Sequence, residues 1–228
     1  MHVAKTGLNS QQIKMQVIAN NLANVNTTGF KADRANFESL LYQVLRSAGD
    51  NTSENTSLTS GLTVGTGTRL LNTSKLHTQG SLINTGNSLD ISIEGDGFFQ
   101  VLMPDGRVGY TRSGAFSRNA EGTVTTASGY PLQPEITIPS EALSINIASD
   151  GIVTVQLPGA VDAEEVGQIT LADFPNRQGL SPNGESMLME TPASGAPIVA
   201  APFAEGMGRT VQGSLESSNV NVVQELVD

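Results

Sequence analysis

Ala19-Asn20-Asn21-Leu22-Ala23-Asn24-Val25-Asn26-Thr27-Thr28-Gly29-Phe30-Lys31 is the stretch on which the fold turns. Leu22 and Val25 continue an apolar stripe that begins upstream. Asn20, Asn21 and Asn24 add side-chain amides that compete with a helical backbone for hydrogen bonds. Asn26-Thr27-Thr28-Gly29 completes the stop, because Gly29 accepts a positive φ and releases Phe30 and Lys31 in a new direction. At the least this is an ordinary helix C-terminus running into a polar corner. Three asparagines within five residues also mark amides that bond something specific.

Upstream of the corner, Val3 to Val25 has helical spacing. Leu8, Met15 and Leu22 lie seven apart, and Ala4, Gln11, Ile18 and Val25 form a companion row, so a two-row seam is apolar except at Gln11. Ile13 and Val17 occupy another face. A helix that is apolar on two sides needs neighbours on both. Leu8, Met15, Ile18, Leu22 and Val25 are therefore the expected helix-packing residues, with helices of other subunits favoured as partners over the chain's own core.

Downstream, Asp33 to Arg46 carries Phe37, Leu40, Leu41, Val44 and Leu45 at a spacing that suits a helix or an extended connector. Ser47 to Ser60 is almost wholly Ser, Thr, Asn, Gly and acid, a polar loop or hairpin tip with nothing to bury. Gly61 to Gly67 resumes as β, with Gly65 and Gly67 read as a bulge or tight turn because no helix follows to make a phosphate loop. Leu89, Ile91 and Ile93 alternate with Asp90, Ser92 and Glu94, predicting a strand with one face buried. Phe98 to Leu102 returns from a Gly95-Asp96-Gly97 turn. Pro104-Asp105-Gly106, Asn119 to Gly122 and Ser149-Asp150-Gly151 punctuate further strands. After Leu171, Pro175 to Pro202 reads as long loops around one apolar knot, Met187-Leu188-Met189. Arg209 to Leu215 reads as a last strand. Asn221, with Gln224 three residues on, caps the start of a second helix.

The predicted fold is therefore mainly β: an irregular barrel or sandwich, an N-terminal amphipathic helix and the start of a C-terminal one. Four stretches follow: 1–31 a helical assembly segment, 32–88 a connector with a polar hairpin, 89–215 the β-rich domain, and 216–228 the C-terminal helix start.

A net charge of −10 and a pI near 4.6 exclude nucleic acid and anionic membrane surfaces as natural partners. The absence of cysteine excludes disulfides and thiolate metal sites. No apolar stretch approaches transmembrane length, and no basic segment leads into an apolar run at the start. Asp90, Glu94, Asp96 and Asp105 invite comparison with a glycosidase pair or a calcium site. Asp96 and Asp105 sit in glycine turns, however, and calcium-loop spacing is missing, so a structural role is expected. His2 and His77 have no partner motif, and no serine has the nucleophile-elbow pattern. The expected catalytic, cofactor and metal residues are none.

The corner sequence resembles the N-terminal signature of the bacterial flagellar rod and hook family. Asn20-Asn21-Leu22-Ala23-Asn24, then Thr27, then Gly29-Phe30-Lys31 follows that pattern without a gap. The similarity continues through Phe37 to Gln43, Gly61 to Gly67, His77 to Gly80, Glu94 to Val101 and Ser217 to Asn221, where it is greatest to distal-rod members. In that family a segment like Ser47 to Thr68 favours a straight, rigid tube. The resemblance implies a structural subunit that assembles with copies of itself and with proximal rod and hook proteins into a helical tube carrying torque across the periplasm. It further implies unfolded export through the flagellar type III channel without a cleaved signal, and no cofactor, nucleic acid or membrane insertion. In the family pattern the chain starts a few residues earlier and continues beyond Asp228 as a long helix paired with the N-terminal one. Proximal rod or hook subunits are the alternatives within the family, and a secreted β-rich binding or adhesion domain is the alternative outside it.

Overall fold

The computed structural model describes residues 2–46, 51–53, 56–57, 60–160 and 162–227. The chain is mainly β, with a helix at each end. The N-terminal helix runs over His2–Ala23 and ends where the asparagines begin to compete with it. The chain then turns at the corner and leaves as a long antiparallel ribbon. Asp33–Ser39 pairs with Thr68–Lys75, and further out Tyr42–Arg46 pairs with Leu62–Gly65. The helical option for 33–46 is thus overturned. Apolar side chains such as Leu41, Tyr42, Val44 and Leu45 remain exposed on the ribbon, so no one-sided burial imposes a helical stripe. Of the polar stretch from Ser47 to Ser60, Asn51–Ser53 and Thr56–Ser57 pair as a short hairpin, while 47–50, 54–55 and 58–59 lie outside the described residues.

The helix lies along the base of this ribbon. Thr6, Ser10, Ile13 and Val17, all half-buried, fall on one face at helical spacing. Ser10 shares a 3.0 Å hydrogen bond with Thr68. Gly67 lets the two elements meet: a Cβ there would stand 2.3 Å from the Thr6 hydroxyl.

The β body is sandwich-like, with no closed barrel. Its main sheet has seven antiparallel strands, in the order Ser181–Pro182, Met187–Met189, Val108–Thr111, Phe98–Leu102, Leu171–Asp173, Ile198–Ala200. Leu132–Gln133 joins beside the Phe98–Leu102 strand. Alternation along these strands sends neighbouring residues to opposite faces. Phe99, Val101, Leu171 and Met187 join the larger core, with Ile91, Ile93, Phe116, Leu132 and Val153. Phe98, Tyr110, Ala172 and Leu188 join Phe174 and Leu180 in a smaller core behind the sheet. The Phe98-Phe99 pair therefore serves both cores. A three-stranded sheet, Ser144–Ile147, Ile152–Gln156 and Glu164–Gln168, supplies Val153 and Val155 to the opposite wall.

The strand expected around Ile91 exists over Ile91–Glu94, but with both faces covered: Asp90 and Ser92 are buried as well as Ile91 and Ile93. The last β segment is two short strands, Arg209–Gln212 against Ile91–Glu94 and Ser214–Glu216 against Leu82–Asn84. The second helix, Val222–Val227, is capped as its sequence predicts: the Asn221 side-chain oxygen accepts from the backbone N–H groups of Val223 and Gln224.

Truncating Phe99, which is fully buried and meets Phe116 edge-on at 5.2 Å, should destabilise the body by about 3–5 kcal/mol, whereas Leu41→Ala on the ribbon should cost about 0.5 kcal/mol or less. Urea unfolding of the two variants checks this contrast, and equal losses would mean that the ribbon is part of the cooperative core.

Candidate assembly site at the helix corner

The corner is built from residues that the motif brings together. Asn20 and Asn24 stand one helical turn apart and bond within the helix end. The Asn24 amide donates to the Asn20 backbone carbonyl at 2.9 Å and to its side-chain oxygen at 3.2 Å. The Thr27 hydroxyl donates to the Asn24 side-chain oxygen. These contacts close the helix by satisfying groups its last turn leaves free.

Asn21 has a different task. It is the one buried residue of the helix. Its amide donates to the Asp33 carbonyl and to a Glu225 carboxylate oxygen, both at 2.9 Å, and its oxygen accepts from the Asp33 backbone N–H at 2.9 Å. One side chain thus ties the N-terminal helix to the root of the ribbon and to the C-terminal helix.

Gly29 sits at φ +67° against the main sheet. A Cβ there would lie 2.5 Å from the Ser113 nitrogen, so only glycine allows the corner to seat. Its N–H donates to the Glu216 carbonyl at 2.8 Å. Phe30 is half-buried beneath the Lys75 ammonium, 5.3 Å from the ring centre, and Lys75 pairs with Asp33 at 2.9 Å.

Lys31 points into the protein. Its ammonium donates to Glu216 Oε1 at 2.5 Å and to the Thr78 carbonyl at 2.8 Å. Glu216 Oε1 also accepts from the Gly80 N–H at 2.9 Å, and Oε2 lies 3.5 Å from Arg112. Arg112 donates to the Gly95 carbonyl at 2.7 Å and lies over the Phe98 ring. All three charged side chains are at least nine-tenths buried. Burial lowers the Lys31 pKa from its ordinary value, and Glu216 pulls against that shift. Beside the cluster, Asn219 accepts from the Ala32 N–H at 2.8 Å and donates to Leu76 and Thr78.

The remaining motif residues lie at the surface of this arrangement. Leu22, Val25 and Ile18 are half-buried, Ala23 is exposed, and Leu8 and Met15 are 73% and 68% exposed. The helix-packing row therefore splits: Ile18, Leu22 and Val25 contact the chain itself, and Leu8 and Met15 are exposed. A cavity of about 570 Å³ opens beside the corner, between Asn20, Asn24 and Thr28 on one side and Gly184 to Leu188 on the other.

The acids singled out in sequence are each accounted for structurally. Asp90 accepts from Thr85 and Asn87, Glu94 pairs with Arg209, Asp96 with Arg177, and Asp105 with Arg107. The described residues contain no group of acids and histidines able to hold a metal. Among them, no helix is long and apolar enough to cross a membrane.

The first helix thus meets the ribbon along one face and is tied to the body at its end, while Leu8 and Met15 stay exposed. Residues 1–31 match the model described as flagella basal body rod protein, and residues 92–155 match the flagellar hook protein FlgE/F/G D1 domain. The chain is 50% identical to the flagellar basal-body rod protein FlgG of Buchnera aphidicola subsp. Acyrthosiphon pisum, over 99% of this chain and 87% of that one. It is 44% identical to the FlgG of Agrobacterium fabrum over the same shares. Against the flagellar hook protein FlgE of Treponema pallidum the identity is 36%, over 73% of this chain and 36% of the relative. The chain belongs to the flagellar basal-body rod protein family. It is a structural protein and not an enzyme, and family membership entails assembly with other axial flagellar components.

Two predictions come from this geometry. Asn21→Ala removes the partner of the half-buried N–H and C=O of Asp33 and should cost about 1–3 kcal/mol in all. Asn24→Ala, whose bonds are exposed and local, should stay within about 0.5 kcal/mol. Denaturant titration of each variant decides, and equal costs would remove the distinction between tie and cap.

The second concerns His77, whose ring stands edge-on to Phe98 at 5.8 Å. Burial, with the Lys31 charge and then those of Arg177 and Arg112, pushes it from 6.5 down to about 4. The unfolded chain then binds the extra proton first, so this contribution to stability is complete above pH 6.5 and falls as pH drops towards about 4. Melting temperature against pH should show that slope in the wild type and a flatter one in His77→Gln. Identical slopes would contradict it.

Proposed function

We propose that this protein is a subunit of the distal part of the flagellar rod, assembling into a helical tube that transmits torque from motor to hook. The observation that carries this reading is the uncovered apolar surface of the terminal helices. Val3, Leu8 and Met15 on the first and Val223, Leu226 and Val227 on the second face no partner in the described chain, and the two helices touch through Asn21 and Glu225. Apolar patches of this kind mark interaction surfaces. Unlike patches meeting between copies generate an open, extending array. The distal position is supported by near full-length similarity to rod relatives, against 73% of the chain for the hook relative.

In this reading residues 1–31 are the assembly segment, 32–88 the connector and ribbon, 89–215 the β body, and 216–228 the start of the C-terminal helix. The motif Asn20-Asn21-Leu22-Ala23-Asn24, Thr27 and Gly29-Phe30-Lys31 holds the assembly helix at a fixed angle to the body. Leu8, Met15, Ile18, Leu22 and Val25 form the packing row, and its partners are copies of this chain and the proximal rod and hook proteins. The rod stands in the periplasm, reached by unfolded export through the flagellar channel without a cleaved signal.

The test is Leu8→Glu combined with Met15→Glu. Both positions are largely exposed, so the monomer's stability should change by only about 0.5 kcal/mol each. Basal bodies isolated from cells carrying the variant should lack the distal rod while the protein is still exported. Normal rods in that strain would overturn the reading.

A further inference from the structure

We propose that Glu216, with Lys31 and Arg112, is a rigid coupling that fixes the angle between the terminal helices and the β body. It rests on the rod reading only for its purpose, that of passing torsional load. Its geometry is independent of that reading.

The chain passes between the helix-and-ribbon part and the body twice, at the segment after Lys75 and at the segment after Ser214, and the corner at Gly29 touches the body a third time. Glu216 joins all three. Its side chain accepts from Lys31 of the corner and Gly80 of the first crossing and pairs at 3.5 Å with Arg112, next to the main-sheet strand Val108–Thr111, and its own backbone forms the second crossing and accepts from Gly29. Asn219 adds a second bracket from the same segment, holding Ala32, Leu76 and Thr78.

The chemistry suits a coupling better than a glue. Buried ion pairs contribute little net stability compared with apolar packing of the same volume, because desolvation offsets attraction. What they supply is direction: Glu216 Oε1 takes hydrogen bonds from Lys31 and Gly80, and Oε2 faces Arg112 at 3.5 Å without a hydrogen bond, so the pair is held by charge and by the position of each group, whereas methylene contacts slide. Two cations and one acid sealed together are a costly arrangement for a protein that needs only cohesion. Behind Arg112, the Phe98 ring of the main sheet and the Gly95 carbonyl hold the guanidinium in place.

The absence of cysteine makes the test direct. Spin labels on Gln12→Cys in the helix and Glu121→Cys in the body report the angle as a distance distribution in the full-length monomer. The wild-type background should give one narrow peak. Lys31→Met should broaden it roughly twofold while the body's cooperative unfolding is kept. Glu216→Gln, which keeps the Gly80 contact and loses the ion pairs, should broaden it less and decides the matter if Lys31→Met does not fold. An unchanged peak width in the folded variants, with only a lowered melting temperature, would overturn the proposal by reducing the cluster to a stabilising contact. Because the measurement is made on monomers, its outcome is separate from that of the assembly test.

Discussion

A single carboxylate, that of Glu216, is the constraint from which the arrangement of this protein follows. It is removed from water; Lys31 of the corner and Gly80 of the first crossing donate to one oxygen, and Arg112, just past the Val108–Thr111 strand, pairs with the other at 3.5 Å. Satisfying one buried charge thereby fixes where the N-terminal helix ends, where the ribbon enters the body and where the chain leaves it. Gly29 is the steric counterpart of the same constraint. Without a side chain, the corner can sit against Ser113 closely enough for Lys31 to reach the acid.

The two cores divide the labour. The larger one lies between the main sheet and the strands facing it and draws no residue from either terminal helix. The smaller one lies behind Phe98, next to Arg112 and His77, and supports the floor on which the charged cluster stands. No residue of the first helix enters either core, and Leu8 and Met15 stay exposed, as the proposed assembly role requires.

Much of this was legible in the sequence where the determinants are local. The helix stop at Asn24 to Gly29, the turn at Pro104 to Gly106 and the Asn221 cap each depend on residues within a few positions of one another. The paired phenylalanines of Phe98-Phe99 were legible as strand but not as the seam between two cores, since alternation tells that faces differ and not what covers them. The ribbon at 33–46 was ambiguous because its apolar residues stay exposed and so obey neither period strictly. The ion cluster was not legible. Lys31 and Glu216 are 185 positions apart, and Arg112 lies in an unremarkable strand end, so nothing local marks a salt bridge that only the closed topology creates. Within the asparagine motif, the pairing of Asn20 with Asn24 followed from helical spacing, whereas the burial of Asn21 depended on the ribbon and the second helix arriving beside it.

The central claim is that the helix presents itself for assembly while the body is complete without it. Hydrogen exchange of the full-length protein, as monomer and as assembled rod, tests this most directly. The account predicts that amides of residues 3–17 exchange early in the monomer and become strongly protected in the rod. Those of Ile91–Glu94 and Phe98–Leu102 should be equally protected in both. Full protection of the helix in the monomer, unchanged on assembly, would contradict it.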